Sequence, residues 1–118
     1  MSSAPQHAGL SAERWSQFSF DDQILMIGNE MNRAMHLLEA DKLEHVRRCY
    51  ERVLQLTDLT VATATSRSRR RETLRWRELI AALYVDDRPS LQIHQALFRC
   101  LLRFTPTASG QIGVLFPS

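Results

Sequence analysis

Two successive segments between residues 20 and 61 keep helical time in their apolar side chains. Phe20, Ile24, Ile27, Met31, Ala34 and Leu38 recur at intervals of four and three; Asp41 interrupts, and Leu43, Val46, Tyr50 and Val53 resume the rhythm. A stripe of that period occupies one side of an α-helix and must be buried against other helices. The pattern therefore predicts a helical hairpin with a very short turn, and it limits the chain to a helix-on-helix architecture. By itself it names no chemistry.

The start and stop residues sharpen the boundaries. Ser11 is a fair N-cap for a short helix, with Leu10 and Trp15 spaced as a hydrophobic staple. Ser19 is a better one, and Asp21 and Asp22 then fall in a first turn where the helix dipole favours negative charge. The first long helix is expected over 20 to 39. Asp41, followed three residues later by Glu44, reads as a capping box opening the second. The run Thr57, Thr60, Val61, Thr63, Thr65 is β-branched and should fray or bend that helix, ending it between 58 and 64.

A further helix is expected over about 68 to 85, with Trp76, Leu79, Ile80, Leu83 and Tyr84 on one face. Asp86-Asp87-Arg88-Pro89-Ser90 breaks it, since proline is tolerated only in a helix's first turn. A last helix should run from about 90 to 104 and end at Thr105-Pro106. The fold class expected is all-α: an up-and-down four-helix bundle built on the N-terminal hairpin. Residues 11–106 would form its single domain, with 1–10 disordered and 107–118 an extended, irregular tail.

Residues 40 to 58, ADKLEHVRRCYERVLQLTD, resemble the second helix of a tetratricopeptide repeat, with Val46, Tyr50 and Val53 where that family places packing residues. The resemblance covers about 19 residues. The family's Trp, Gly and Tyr signature is missing from the preceding helix, where Glu30 stands at the Trp position, and no second copy follows. What it implies is shared hairpin packing.

A length of 118 residues is enough for a core without metal or disulfide staples. No apolar run approaches the roughly 20 residues of a membrane helix, and the first ten residues lack the features of a secretory signal. Cys49 and Cys100 both fall on helical stretches and read as buried thiols. A cytoplasmic location follows. Fourteen of the fifteen basic residues are arginine, a bias of GC-rich bacterial codon usage.

Catalytic constellations are missing. There is no Glu-x-x-His pair for a di-iron bundle, no Gly-x-Ser-x-Gly elbow, no Cys-x-x-Cys and no phosphate-cradling glycine loop. His36 faces water on the helical wheel, Asp41 and His45 read as a capping contact, and His94 lies between two apolar faces. Met26, Met31, Met35 and Trp76 read as core filling rather than a ligand pocket. No enzyme activity, metal or cofactor is expected.

Charge is unevenly spread. Residues 1 to 58 hold six basic and nine acidic side chains, whereas residues 59 to 118 hold nine and four. Arg67, Arg70, Arg71, Arg75 and Arg77 spread over the face opposite Trp76, Leu79, Ile80 and Leu83. The plain reading is a solvated face paired with acidic residues of the first two helices. Crowding Arg69, Arg70 and Arg71 at a helix N-terminus nevertheless opposes the dipole, and an anion would relieve it. These arginines are thus candidates for binding nucleic acid or another polyanion.

The last helix carries two stripes. Ile93, Leu97, Cys100, Leu101 and Phe104 form one; Leu91, Phe98 and Leu102 form another nearly opposite. A peripheral helix needs only one apolar side. Either Ile112, Val114, Leu115 and Phe116 fold back over the second stripe, or another chain covers it. Leu91, Phe98 and Leu102 are accordingly a candidate interface for a homodimer or another protein. The function expected is a non-catalytic module acting through protein contacts, with polyanion binding as the alternative.

Overall fold

The computed structural model describes residues 10 to 117; the expected disorder of residues 1–10 falls almost wholly outside them. Among the described residues seven helices follow one another: α1 (Ala12–Ser16), α2 (Phe20–Glu39), α3 (Leu43–Thr63), α4 (Arg67–Val85), α5 (Leu91–Leu102), α6 (Pro106–Ser109) and α7 (Ile112–Leu115). No strand occurs among the described residues, and none of their helices is long and apolar enough to cross a membrane. The four long helices close a ring: α2 packs on α3, α3 on α4, α4 on α5, and α5 back on α2. The molecule measures 40 × 36 × 20 Å, so its thin direction accommodates two layers of helices, each about 10 Å across.

The hairpin stripes form the core. Ile24, Ile27, Met31 and Ala34 of α2 meet Val46, Tyr50, Val53 and Leu56 of α3, all buried, and Met35 and Trp76 are packed with them. The turn between the two helices corrects the capping-box expectation. Asp41 is left-handed, at φ 58°, and Lys42 rather than Asp41 is the N-cap of α3, without a side-chain cap. The amide of Lys42 donates to Leu37 O (2.9 Å) and that of Asp41 to Leu38 O (3.1 Å), the bond pattern of a Schellman ending. Asp41 therefore closes α2 where glycine is commonest.

The threonine run does not fray α3. Thr57, Thr60 and Thr63 each turn the hydroxyl back to the carbonyl four residues earlier, at 2.6, 2.9 and 2.8 Å, so their polar atoms are satisfied inside the helix. Thr60 also accepts from Trp15 Nε1 at 2.9 Å, pinning α1 to α3. Gln23 completes that corner by donating to Trp15 O and Phe18 O.

Along α4, Thr73, Trp76, Ile80 and Leu83 are buried, whereas Leu79 is 51% exposed, against expectation. Trp76 Nε1 donates to Leu97 O (2.8 Å) and ties α4 to α5.

Helix α5 overturns the two-stripe reading. Its buried arc is continuous: His94, Leu97, Phe98, Leu101 and Leu102, spaced by three, one, three and one. His94 stands at the centre of one broad face, and counting it as polar split that face in two. Ile93 and Cys100, assigned to the core stripe, are exposed. Phe98 and Leu102, assigned to an intermolecular interface, are 0% and 1% exposed within this single chain, with Leu91 half-buried beside them.

Two things cover them. Gly28 leaves room on α2, where a Cβ would lie 3.6 Å from both side chains. The C-terminal segment is also not irregular. Thr105 caps α6 with Pro106 at its start, and α7 returns Phe116 edge-on to Phe98, ring centroids 5.3 Å apart. Arg99 lies over the other aromatic face of that pair, 4.3 Å from the Phe116 centroid.

Candidate functional site

Helix α4 carries the arginines, and its local sequence explains their display. Ser66 caps the helix, accepting from the amide of Arg69 at 3.3 Å, and no acidic residue occupies the first turn. With Trp76, Ile80 and Leu83 turned to the core, the residues half a turn away must face water.

The five candidates do not form one group. Arg67, Arg70, Arg71 and Arg75 are exposed and surround Leu74, 41% exposed, in a shallow hollow of about 350 Å³ whose far edge is Glu78. The hollow's floor is mostly apolar: Leu74 and the arginine stems. Arg77 leaves the set. It turns toward α3, where its guanidinium engages both carboxylate oxygens of Asp58, and that contact raises its pKa further. Arg77 alone of the five fulfils the expected pairing with an acidic residue of the first two helices.

The crowding at the N-terminus is relieved within the chain for two residues. Arg69 lies over the Phe20 ring, 4.5 Å from its centroid, and Arg70 donates to Ala64 O at 3.1 Å. Arg67, Arg71 and Arg75 have no carboxylate partner among the described residues. Leu74 was missed from the sequence, although its position three after Arg71 and four before Glu78 places it on their face.

Further along the same side, charge reverses. Residues 67, 71, 74, 78, 81 and 85 repeat at four and three, so Arg67, Arg71, Leu74, Glu78, Ala81 and Val85 share one seam. Val85 is 72% exposed, and Asp86 and Asp87 are exposed just beyond it. The outward face of α4 is thus basic in its first half and acidic at its end.

The second candidate surface, Leu91, Phe98 and Leu102, is brought together but closed from within, as described above. The histidines are dispersed. No three His, Cys, Asp or Glu side chains cluster as metal ligands among the described residues. His94 is held as a core residue: Nε2 lies 2.9 Å from Met31 O and Nδ1 2.7 Å from Tyr50 Oη. The carbonyl can only accept, so Nε2 carries the proton and Tyr50 donates to Nδ1. Burial lowers the His94 pKa, opposed by the Met31 bond, and burial raises that of Tyr50. Both groups are neutral in the fold.

Compared with protein-family models, curated proteins and solved structures, the chain matches none.

Proposed function

We propose that the chain is a non-catalytic helical module that works through protein contacts made by the outward face of α4. The order of contacts around the helix ring supports reading it as an up-and-down bundle, in which neighbours in sequence pack and α5 returns to α2. That scaffold buries most of its apolar side chains and leaves Arg67, Arg71 and Arg75 of α4 exposed, with no carboxylate partner among the described residues.

One observation carries the choice of partner. The α4 seam is basic at Arg67 and Arg71, apolar at Leu74 and Val85 and acidic at Glu78; Asp86 and Asp87 add exposed acidic charge just past its end, Asp87 lying 3.9 Å from Arg47. A uniformly acidic partner would be attracted by the first half and repelled by the end. A second copy of α4 laid antiparallel meets opposite charge at both ends, the self-complementarity that a two-fold interface requires. Leu74 and Val85 supply modest apolar burial, so the homodimer is a weak one that loosens as salt screens its ion pairs.

Sedimentation equilibrium tests this. Self-association is expected to weaken with salt, to be lost in Arg71→Glu, and to return in the double variant Arg71→Glu/Glu78→Arg. A chain that stays monomeric at every soluble concentration in low salt overturns the proposal.

The alternative is a nucleic-acid or polyanion surface, favoured by the four arginines on two turns of α4. Glu72 and Glu78 border the same hollows and would repel a continuous phosphate backbone. Retention on an oligonucleotide that falls steeply with salt, in a chain that remains monomeric, would favour this reading.

A further inference from the structure

The first half of the sequence is acidic in sum, yet it builds a concavity lined by four permanent cations. Beside the α2–α3 turn lies a hollow of about 380 Å³ lined by Arg33, Lys42, His45, Arg48 and Arg52, with Cys49 and Leu37 between them. No carboxylate lines it. The residues come from three pieces of backbone: Arg33 and Leu37 from the end of α2, Lys42 from the turn, and His45, Arg48, Cys49 and Arg52 from one face of α3.

The nearest compensating charge is already engaged. Glu30 Oε1 accepts from Arg52 Nε at 2.9 Å and lies 3.7 Å from Arg33 Nη1. Its side chain is 13% exposed. That bond and a 3.3 Å contact from Arg52 Nη2 to Cys49 Sγ fix Arg52 as a rigid wall of the hollow. The Cys49 thiol is buried, and burial raises its pKa, so the wall keeps a neutral sulfur instead of adding an anion. Lys42 and Arg48 have no carboxylate partner among the described residues, and Arg33, beside Glu30, is 63% exposed at its side chain.

Lys42 is also the N-cap residue of α3, so its backbone is fixed at the start of that helix beside the hollow. The lining carries four permanent cations and no carboxylate, and like charges drawn into a concavity repel unless an anion joins them.

The geometry points to this hollow as a binding site for a phosphate-bearing small molecule. A tetrahedral anion of two or more charges can take an arginine fork from each side and the lysine from the turn, whereas one carboxylate would leave the excess uncompensated. A volume within the range of small-ligand clefts leaves room for an organic body beside the phosphate, over Leu37 and the arginine stems. The site lies on α2 and α3 and does not depend on the reading of α4.

The test is a titration of the full chain with sodium pyrophosphate, at ionic strength held constant with sodium chloride, followed by amide NMR shifts. Saturable shifts are expected at residues 42 to 52 and around Arg33. Arg48→Gln and Lys42→Gln should each weaken binding about tenfold, the loss of one charge-assisted contact. Arg48→Lys should recover part of that loss, and Arg71→Gln on α4 should change nothing. Both neutral variants alter exposed side chains, and an unchanged thermal transition confirms that they fold. Shifts that fail to saturate, that map instead to residues 67 to 75, or that survive both neutral variants would overturn the site.

Discussion

The hydroxyl of Tyr50 donates to Nδ1 of His94 across 2.7 Å, and this bond couples α3 to α5 through two residues 44 positions apart in the sequence. Through Nε2 the same ring reaches Met31 O, so one imidazole joins α2, α3 and α5 with both nitrogens satisfied. Removing the hydroxyl leaves a buried acceptor without a donor. Tyr50→Phe is expected to cost about 1–3 kcal/mol in urea unfolding, more than the loss of an exposed hydrogen bond would.

His94 also sets a pH dependence. Its pKa in the fold lies below the ordinary 6.5 because burial disfavours the charged ring. Above pH 6.5 the ring is neutral both folded and unfolded, and its contribution to stability is complete. As pH falls below that value the unfolded chain takes up a proton that the buried ring refuses. Stability then declines toward the folded pKa, with a slope approaching about 1.4 kcal/mol per pH unit. Unfolding of the wild type and His94→Gln at pH 7.5, 6.5 and 5.5 checks this. The difference between the two should shrink on acidification, because the variant lacks this proton uptake.

Asp41 holds a left-handed conformation that a side chain disfavours. Asp41→Gly is expected to raise stability by about 0.5–1 kcal/mol, despite losing the exposed contact with Arg88. Asp41→Val should lower it, since β-branching makes the same backbone costlier. The midpoint of thermal unfolding reads both signs.

Gly28 sits inside α2, where glycine costs about 1 kcal/mol relative to alanine. Its added Cβ would meet Phe98 and Leu102 at 3.6 Å, an ordinary contact. Gly28→Ala should therefore stabilise by about 0.5–1 kcal/mol. Gly28→Leu should destabilise, because a branched side chain there must displace α5. A loss of stability in the alanine variant would show that α5 packs against α2 more tightly than these distances allow.

Phe116 covers Phe98 from the C-terminal end of the chain. Phe116→Ala is expected to cost about 1–2 kcal/mol and to increase binding of a hydrophobic dye. Deleting residues 107 to 118 should go further and cause concentration-dependent association, visible by light scattering, by baring the side chains once expected to meet another chain.

Local rules read most of the helices correctly because their causes are local. Ser11 and Ser19 cap helices through an amide three residues on, as their positions predict, and the hairpin stripes are buried in the core except at Phe20, Leu38 and Leu43, which are half-buried. Where reading failed, the deciding partner was distant. His94 counts as polar until Tyr50 and Met31 satisfy it, and only then does α5 show one apolar face. The threonine run did mark the end of α3, at Thr63 within the expected 58 to 64, but the back-bonds to Val53, Leu56 and Leu59 that keep the helix intact that far were not legible.

The candidate sites divide in the same way. The exposure of Arg67, Arg71 and Arg75 was legible because a helix with Trp76, Ile80 and Leu83 inward has only one opposite face. The departure of Arg77 to Asp58 was not, since it depends on where α3 lies. His45, Arg48 and Arg52 already share a face of α3 at spacings of three and four, but α3 by itself forms only a basic ridge. Arg33 and the α2–α3 turn make it a concavity. By itself, then, the sequence determined where helices begin and which sides turn from water, because backbone capping and hydrophobic period act within a few residues. Tertiary structure alone decided which polar groups are buried in pairs, which apolar stripe is closed from within, and where cations converge, because each depends on residues that only folding brings together.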